Sequence, residues 1–195
     1  MKAGKVLSVA VLAGVISVGV AVFGQRWFSE GRTLDISLPL KWDRSGDMLD
    51  RLPQFKLQNL QGEKVSSSAW DGKVIILNFW ATWCPPCLRE MPLFIELQER
   101  HKQLQVVGIA IDTREEVAGF LEANPVNYPI LLGETQAIEM SRRLGNRLQG
   151  LPFTVIFDNR GRRIHAQVGE MTRTALDKHL SALLPEPATA QTHAN

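Results

Sequence analysis

The chain reads as an α/β fold: a central mixed sheet flanked by helices, with an N-terminal β-hairpin and an inserted strand–helix segment. Three observations predict it. Two continuous apolar runs of strand-forming residues, KVIILNFW (73–80) and LQVVGIAID (104–112), have the character of central strands covered on both faces. Segments with near-helical apolar spacing separate and follow these runs, and strands alternating with helices imply parallel pairs with helices on both faces. Two more strand-like stretches around an Asn159-Arg160-Gly161 turn close the pattern near the C-terminus.

In chain order, residues 52–70 come first as a hairpin. Phe55 and Leu57 alternate with polar residues, Gln61-Gly62 makes the turn, and Val65 lies on the return strand. After the first central strand, PPCLREMPLFIELQERHK (85–102) carries Leu88, Met91 and Ile95 at helical spacing, and Pro92 inside it predicts a kink. Thr113 is placed to cap a helix running through Leu121. YPILLG (128–133) is short and extended, and ETQAIEMSRRLG (134–145) is a helix stopped by Gly145. TRTALDKHLSALL (172–184) is a final amphipathic helix with Leu176, Leu180 and Leu183 or Leu184 on one face. Met91, Met140 and Met171 read as packing residues, and Trp80 as core.

The N-terminus adds a second domain class. Residues 1–5 form a short charged region with Lys2 and Lys5. An uncharged apolar stretch of 19 residues, Val6–Gly24, follows. At about 1.5 Å per residue such a helix is just long enough for a bilayer core of roughly 30 Å. No small-x-small cleavage site is evident after it, since Ala21-Val22-Phe23 ends in a bulky residue, so an uncleaved signal anchor is expected, with a cleaved signal peptide as the alternative. The lysines before it keep the N-terminus cytoplasmic, which exports the remainder. Residues 25–51 read as a linker lying over or tethering a globular domain at 52–184, and residues 185–195 as a disordered tail. Across 195 residues the net charge is only +2 and the basic residues are scattered, which excludes a nucleic-acid partner on composition grounds.

The chemistry lies in NFWATWCPPCLREMP (78–92), which holds both cysteines, Cys84 and Cys87. A Cys-x-x-Cys is half of a zinc site, but no other cysteine exists, and His101, His165, His179 and His193 show no local ligand spacing; no metal is expected. A staple closing so short a loop would add little stability. Redox chemistry remains, and no cofactor is needed for it. At a strand–helix junction, Cys84 is expected to be the exposed nucleophile, favoured as thiolate by the helix N-terminus, and Cys87 resolves the mixed disulfide. Pro85 and Pro86 have no N–H to donate, so the Cys84 thiolate is less stabilised there and the couple is pushed toward the reducing end. Trp83 is expected to wall the site.

GKVIILNFWATWCPPCLREMP followed by LGNRLQGLPFTVIFDNRGRR resembles the TlpA/ResA-like branch of the thioredoxin superfamily, over roughly 52–184. The resemblance implies a thioredoxin-like fold and a membrane-anchored extracytoplasmic thiol–disulfide oxidoreductase. It further implies a single-pass protein of the bacterial inner membrane, with its catalytic domain on the periplasmic side. It maps a nucleophile and a resolving cysteine onto Cys84 and Cys87, and a substrate-binding cis-proline onto Pro152, with Leu151 before it. Where many cytoplasmic thioredoxins carry a buried Asp, this chain has Asn78, expected to hydrogen-bond within the core. The branch places a Glu three residues after the second cysteine, here Glu90, implied to tune the thiols and relay a proton. Residues 125–145 match its characteristic insertion. The implied partners are a disulfide-containing protein, with apocytochrome c as a candidate, and an upstream membrane thiol electron donor; the domain is expected to be monomeric.

The leading expectation is therefore a reductase of protein disulfides. A disulfide-forming oxidase remains open. A peroxidase is disfavoured because Thr82 lies only two residues before Cys84, outside a Thr-x-x-Cys pattern, and a non-catalytic binding module is disfavoured because both cysteines and the proline are present.

Overall fold

The computed structural model describes residues 48–184. The expected anchor, most of the linker and the tail lie outside the described residues.

The sheet has seven strands in the order β2-β1-β5-β4-β3-β6-β7. The hairpin strands are β1 (Lys56–Asn59) and β2 (Lys64–Ser66); a 3₁₀ turn at Ser67–Trp70 leads to β3 (Val74–Trp80). Gly62 closes the hairpin at φ +83°, a left-handed conformation that glycine adopts without cost. Next come α1 (Pro85–Arg100), β4 (Leu104–Ala110), α2 (Arg114–Ala123), β5 (Ile130–Leu132) and α3 (Glu134–Arg143). The chain ends with β6 (Phe153–Phe157), β7 (Arg163–Val168) and α4 (Arg173–Leu180). β3, β4 and β5 are parallel neighbours, while β6 pairs antiparallel with β3, and β1 pairs antiparallel with both β2 and β5. The sheet is mixed, as the sequence pattern predicts.

Alternation along β3 divides the core. Val74, Ile76 and Trp80 join one cluster with Met91, Phe94 and Leu97 of α1, Val117 of α2, and Leu176 and Leu180 of α4. Ile75, Leu77 and Phe79 join the other, with Trp70 of the 3₁₀ turn and Ala137 and Met140 of α3. Every residue of β3 is buried, which is why its sequence is an apolar run rather than an alternation. Thr113 caps α2 as expected, accepting from the Glu116 N–H at 3.3 Å. α1 continues from Pro85 to Arg100 with Pro92 inside it. α4 stops at Leu180, earlier than its apolar pattern suggests, yet Leu184 beyond it is buried.

The inserted segment has a structural task. β5 lies between β1 and β4, so it joins the hairpin to the central strands. Residues 48–51, assigned above to the linker, are hydrogen-bonded onto the domain. Leu49 N–H donates to the Arg143 carbonyl at 2.8 Å, and Arg163 N–H donates to the Asp50 carbonyl at 2.7 Å. These contacts surround the β6–β7 turn. Because β6 runs antiparallel to β3, that turn sits at the opposite end of the sheet from the C-terminus of β3.

Candidate active site

The C-terminal end of β3 delivers Ala81 to Trp83, and α1 starts immediately after. Cys84 is the N-cap of α1, with Pro85 and Pro86 in its first two positions. Cys84 and Cys87 form a disulfide with Cα atoms 5.3 Å apart. The usual attraction of a helix N-terminus is a set of orphan N–H groups. Here two of the four are missing as prolines, and the other two are occupied: Cys84 N–H donates to the Ala81 carbonyl at 3.2 Å and Cys87 N–H to the Cys84 carbonyl at 3.0 Å. The first turn therefore offers a sulfur at Cys84 the helix dipole but no free amide donor.

One expectation is corrected. Cys84 is not an open, exposed side chain; it is only 4% accessible, and Cys87 is fully buried. Exposure at the site belongs to Trp83, 67% accessible, and to Pro85. The cysteines join the apolar cluster beneath α1, so only a small edge of Cys84 reaches the surface, next in sequence to the exposed Trp83 indole. Leu151 packs against the same cluster, and the Leu151–Pro152 peptide bond is cis. The Pro152 carbonyl accepts from Gly169 N–H at 2.8 Å, which ties this segment to the end of β7.

Behind the disulfide lies a buried polar set. Asn78 faces the α1 side of the sheet from the middle of β3, and its amide nitrogen donates to Glu90 Oε1 at 2.6 Å and to Thr154 Oγ1 at 3.1 Å. Glu90 Oε2 accepts from Met171 N–H at 2.7 Å. Glu90 is 2% accessible, so it is a buried carboxyl and not a solvated residue on the helix surface. Burial pushes its carboxyl up to about 7 against the two hydrogen bonds that favour the charged form, and the nearby Glu170 adds a little to the rise. One helical turn separates Glu90 from Cys87, which puts both on one face of α1. The arrangement provides a carboxyl that exchanges a proton near neutrality beside the inner cysteine.

Three members of this site carry no motif in the sequence. Asp112, just past β4, accepts from Thr82 N–H at 3.1 Å and from the Thr82 hydroxyl at 2.5 Å, and so holds the segment entering Cys84. Met171 contributes only its backbone. Tyr128 packs in the cysteine cluster with its hydroxyl buried and unpaired among the described residues. Burial, and secondarily the charge of Glu90, hold its ionisation above the usual tyrosine range. A polar Asn78 inside an otherwise apolar strand was the one visible signal of this set.

Arg89 forms an exposed ion pair with Glu170 at 2.6 Å, and His165 stacks on His179 with ring centroids 3.9 Å apart, away from any catalytic geometry. Among the described residues no group of three or more His, Cys, Asp or Glu side chains is placed to hold a metal, and no helix is long and apolar enough to cross a membrane.

Residues 49–184 match the Redoxin family. The chain is 32% identical over 136 residues to the thiol-disulfide oxidoreductase ResA of Bacillus thuringiensis (strain Al Hakam), a match covering 68% of this chain and 76% of that protein. It is 34% identical over 133 residues to the thioredoxin-like protein YneN of Bacillus subtilis (strain 168), covering 66% and 75% respectively. Among solved structures it is similar to a putative thiol:disulfide interchange protein DsbE from Chlorobium tepidum. That likeness has a TM-score of 0.61 at 27% identity and covers 69% of this chain and 95% of that one. The mixed sheet with helices on both faces is thus the thioredoxin-like fold that the sequence resemblance implies. With its nearby cysteine pair and this architecture, the chain belongs to the Redoxin family and is a thiol–disulfide oxidoreductase of the ResA and DsbE type.

Proposed function

We propose that this oxidoreductase is membrane-anchored through residues 6–24, works outside the cytoplasm, and acts as a reductase of protein disulfides. In the reduced enzyme the Cys84 thiolate attacks one sulfur of a substrate disulfide. The other substrate sulfur leaves and takes a proton, and a mixed disulfide remains. Cys87 loses its proton to ionised Glu90 and attacks Cys84 Sγ. This releases the second substrate thiol and leaves the Cys84–Cys87 disulfide. Two electrons have passed to the substrate, and a membrane thiol donor returns the pair to the reduced state. Pro152, Leu151 and Trp83 position the substrate backbone and side chains against Cys84. Apocytochrome c, presented as an oxidised Cys pair, is the candidate substrate.

The observation that supports the reducing direction is the first turn of α1. A strong oxidant needs its reduced form stabilised. Here no backbone N–H in that turn is free to stabilise a Cys84 thiolate. Equilibration of the couple against glutathione tests the direction: a potential near the strongly oxidising end, about −120 mV, overturns it. Cys87→Ser tests the mechanism, since it leaves Cys84 to trap substrates as mixed disulfides. An intact cell expressing this variant and yielding no disulfide-linked partner speaks against protein disulfides as substrates.

A further inference from the structure

We propose that the arginine-rich end of the domain, opposite the disulfide, docks on an anionic phospholipid surface and turns Cys84 and Cys87 away from the bilayer; this rests on the anchor reading above.

The charge of the domain is divided between its two ends. Although the net charge is small, seven of the eleven arginines in residues 48–184 fall at or beside the β6–β7 turn, the C-terminus of α3 and the incoming segment 48–52. The structure draws these segments together. Arg51 donates to the Arg160 carbonyl at 2.9 Å and is bridged to Arg162, and Arg163 donates to the Leu144 carbonyl at the end of α3, also at 2.9 Å. Arg147 reaches back to Met48 Sδ at 3.4 Å. Among the described residues, Arg51, Arg143, Arg147, Arg160 and Arg163 form no ion pair with a carboxylate, while Arg162 is held by Asp158. A cavity of about 290 Å³ opens among Arg51, Trp70, Lys73 and Arg160, with Asp71 the one carboxylate in its lining. At the disulfide end Asp112, Glu115 and Glu116 stand with Arg114 around the start of α2, and Arg89 is paired with Glu170.

The occupant follows from charge and from where the chain enters. Clustered arginines favour phosphate in bidentate geometry, and basic side chains near a bilayer that carries anionic headgroups are attracted to its surface, on either leaflet. The apolar stretch Val6–Gly24 precedes the domain, and Met48–Leu52 enters it at this same end. Residues 25–47 span at most about 75 Å, enough for this end of the domain to reach the bilayer surface. An arginine face resting on phosphates would set the orientation of the domain. It leaves Trp83 and the edge of Cys84 facing a substrate that arrives from the aqueous side.

The test uses the full chain, with Cys84–Cys87 kept oxidised, and a fluorophore on Asn159→Cys in the arginine turn or on Glu115→Cys at the other end. Both versions are reconstituted in membranes containing a nitroxide-headgroup quencher, either phosphatidylcholine alone or with added phosphatidylglycerol. Docking is expected to raise quenching at 159 several-fold in the phosphatidylglycerol membrane, leave 115 unchanged, and disappear at about 0.5 M salt. Arg143→Gln, Arg147→Gln and Arg160→Gln together are expected to weaken association by about fivefold per arginine. Equal quenching at 159 in both membranes, with the chain resisting alkaline carbonate extraction, overturns docking and leaves the anchor standing. A chain that carbonate strips, yet floats with phosphatidylglycerol and not phosphatidylcholine vesicles, upholds docking and overturns the anchor. A chain that does neither overturns both.

Discussion

Asn78 on β3 hands an amide hydrogen to Glu90 on α1 across 2.6 Å of buried space, directly beneath the cysteine helix. The pair ties the central strand to the helix that carries the chemistry. It also replaces a strand carboxylate with a helix carboxylate as the titrating group of the interior. An amide can only donate or accept a hydrogen bond, so Glu90 is the member of this pair that can gain or lose a proton.

That exchange has a signature in stability. The Glu90 carboxyl is raised from about 4.5 to about 7 by burial. Between those values the folded protein keeps a proton that the unfolded chain has lost, so stability falls as pH rises through this window. The full effect is roughly 3 kcal/mol. Urea unfolding of the oxidised protein from pH 4 to 8 is expected to show this decline, and Glu90→Gln is expected to flatten it. An unchanged slope in the variant would place the titration elsewhere.

Asn78→Asp sets a second carboxylate against Glu90. Two acids at hydrogen-bonding distance in a buried site share one proton, and the second ionisation is strongly opposed. The variant is expected to approach wild-type stability at pH 5 and to lose several kcal/mol at pH 8, on the order of what an unpaired buried charge costs. Thermal unfolding at the two pH values reads the difference.

Trp83 separates recognition from stability. With 67% of its surface in solvent it contributes little to the core. Trp83→Ala is expected to change unfolding free energy by less than about 0.5 kcal/mol. It should still weaken reduction of a protein disulfide, seen as a higher KM, while reaction with a small disulfide is kept. Equal loss on both substrates would argue against a recognition role.

Asp112 holds Thr82 through the backbone N–H and the hydroxyl. Asp112→Ala removes both bonds and is expected to cost about 1–3 kcal/mol. Hydrogen exchange should quicken at Thr82 to Cys84 while β3 and α1 remain protected. A uniform increase across the sheet would show that Asp112 supports the fold rather than the approach to the cysteines.

At Gly133, before α3, an added Cβ would lie 2.3 Å from the Ala137 Cβ and 3.0 Å from Ile109 Cγ2. Gly133→Ala is expected to cost about 1–3 kcal/mol by overpacking. Adding Ala137→Gly should recover part of that loss, a non-additivity that a double-mutant cycle measures.

Much of the architecture was legible in the residues. The fully apolar β3 and β4, the Gly62 and Gly161 turns, the Thr113 cap and the Gly145 stop each follow from local chemistry, and all stand where the pattern places them. The same holds for the Cys-Pro-Pro-Cys spacing at a strand–helix junction, since sequence neighbours remain neighbours in a helix turn. The exposure of Cys84 was not legible, because it depends on what Trp83, Pro85 and the cis-Pro152 segment leave open. Nor was the Glu90 environment, whose partners Asn78 and Met171 lie 12 and 81 residues away, with Asn78 itself held by Thr154 at a separation of 76. Sequence alone determined which chemistry the chain carries, because two thiols at that spacing with no further cysteine leave few options. Only the tertiary structure decided how that chemistry is tuned. A carboxyl's proton affinity is set by the water and donors around it, and these come from distant segments that only folding brings together.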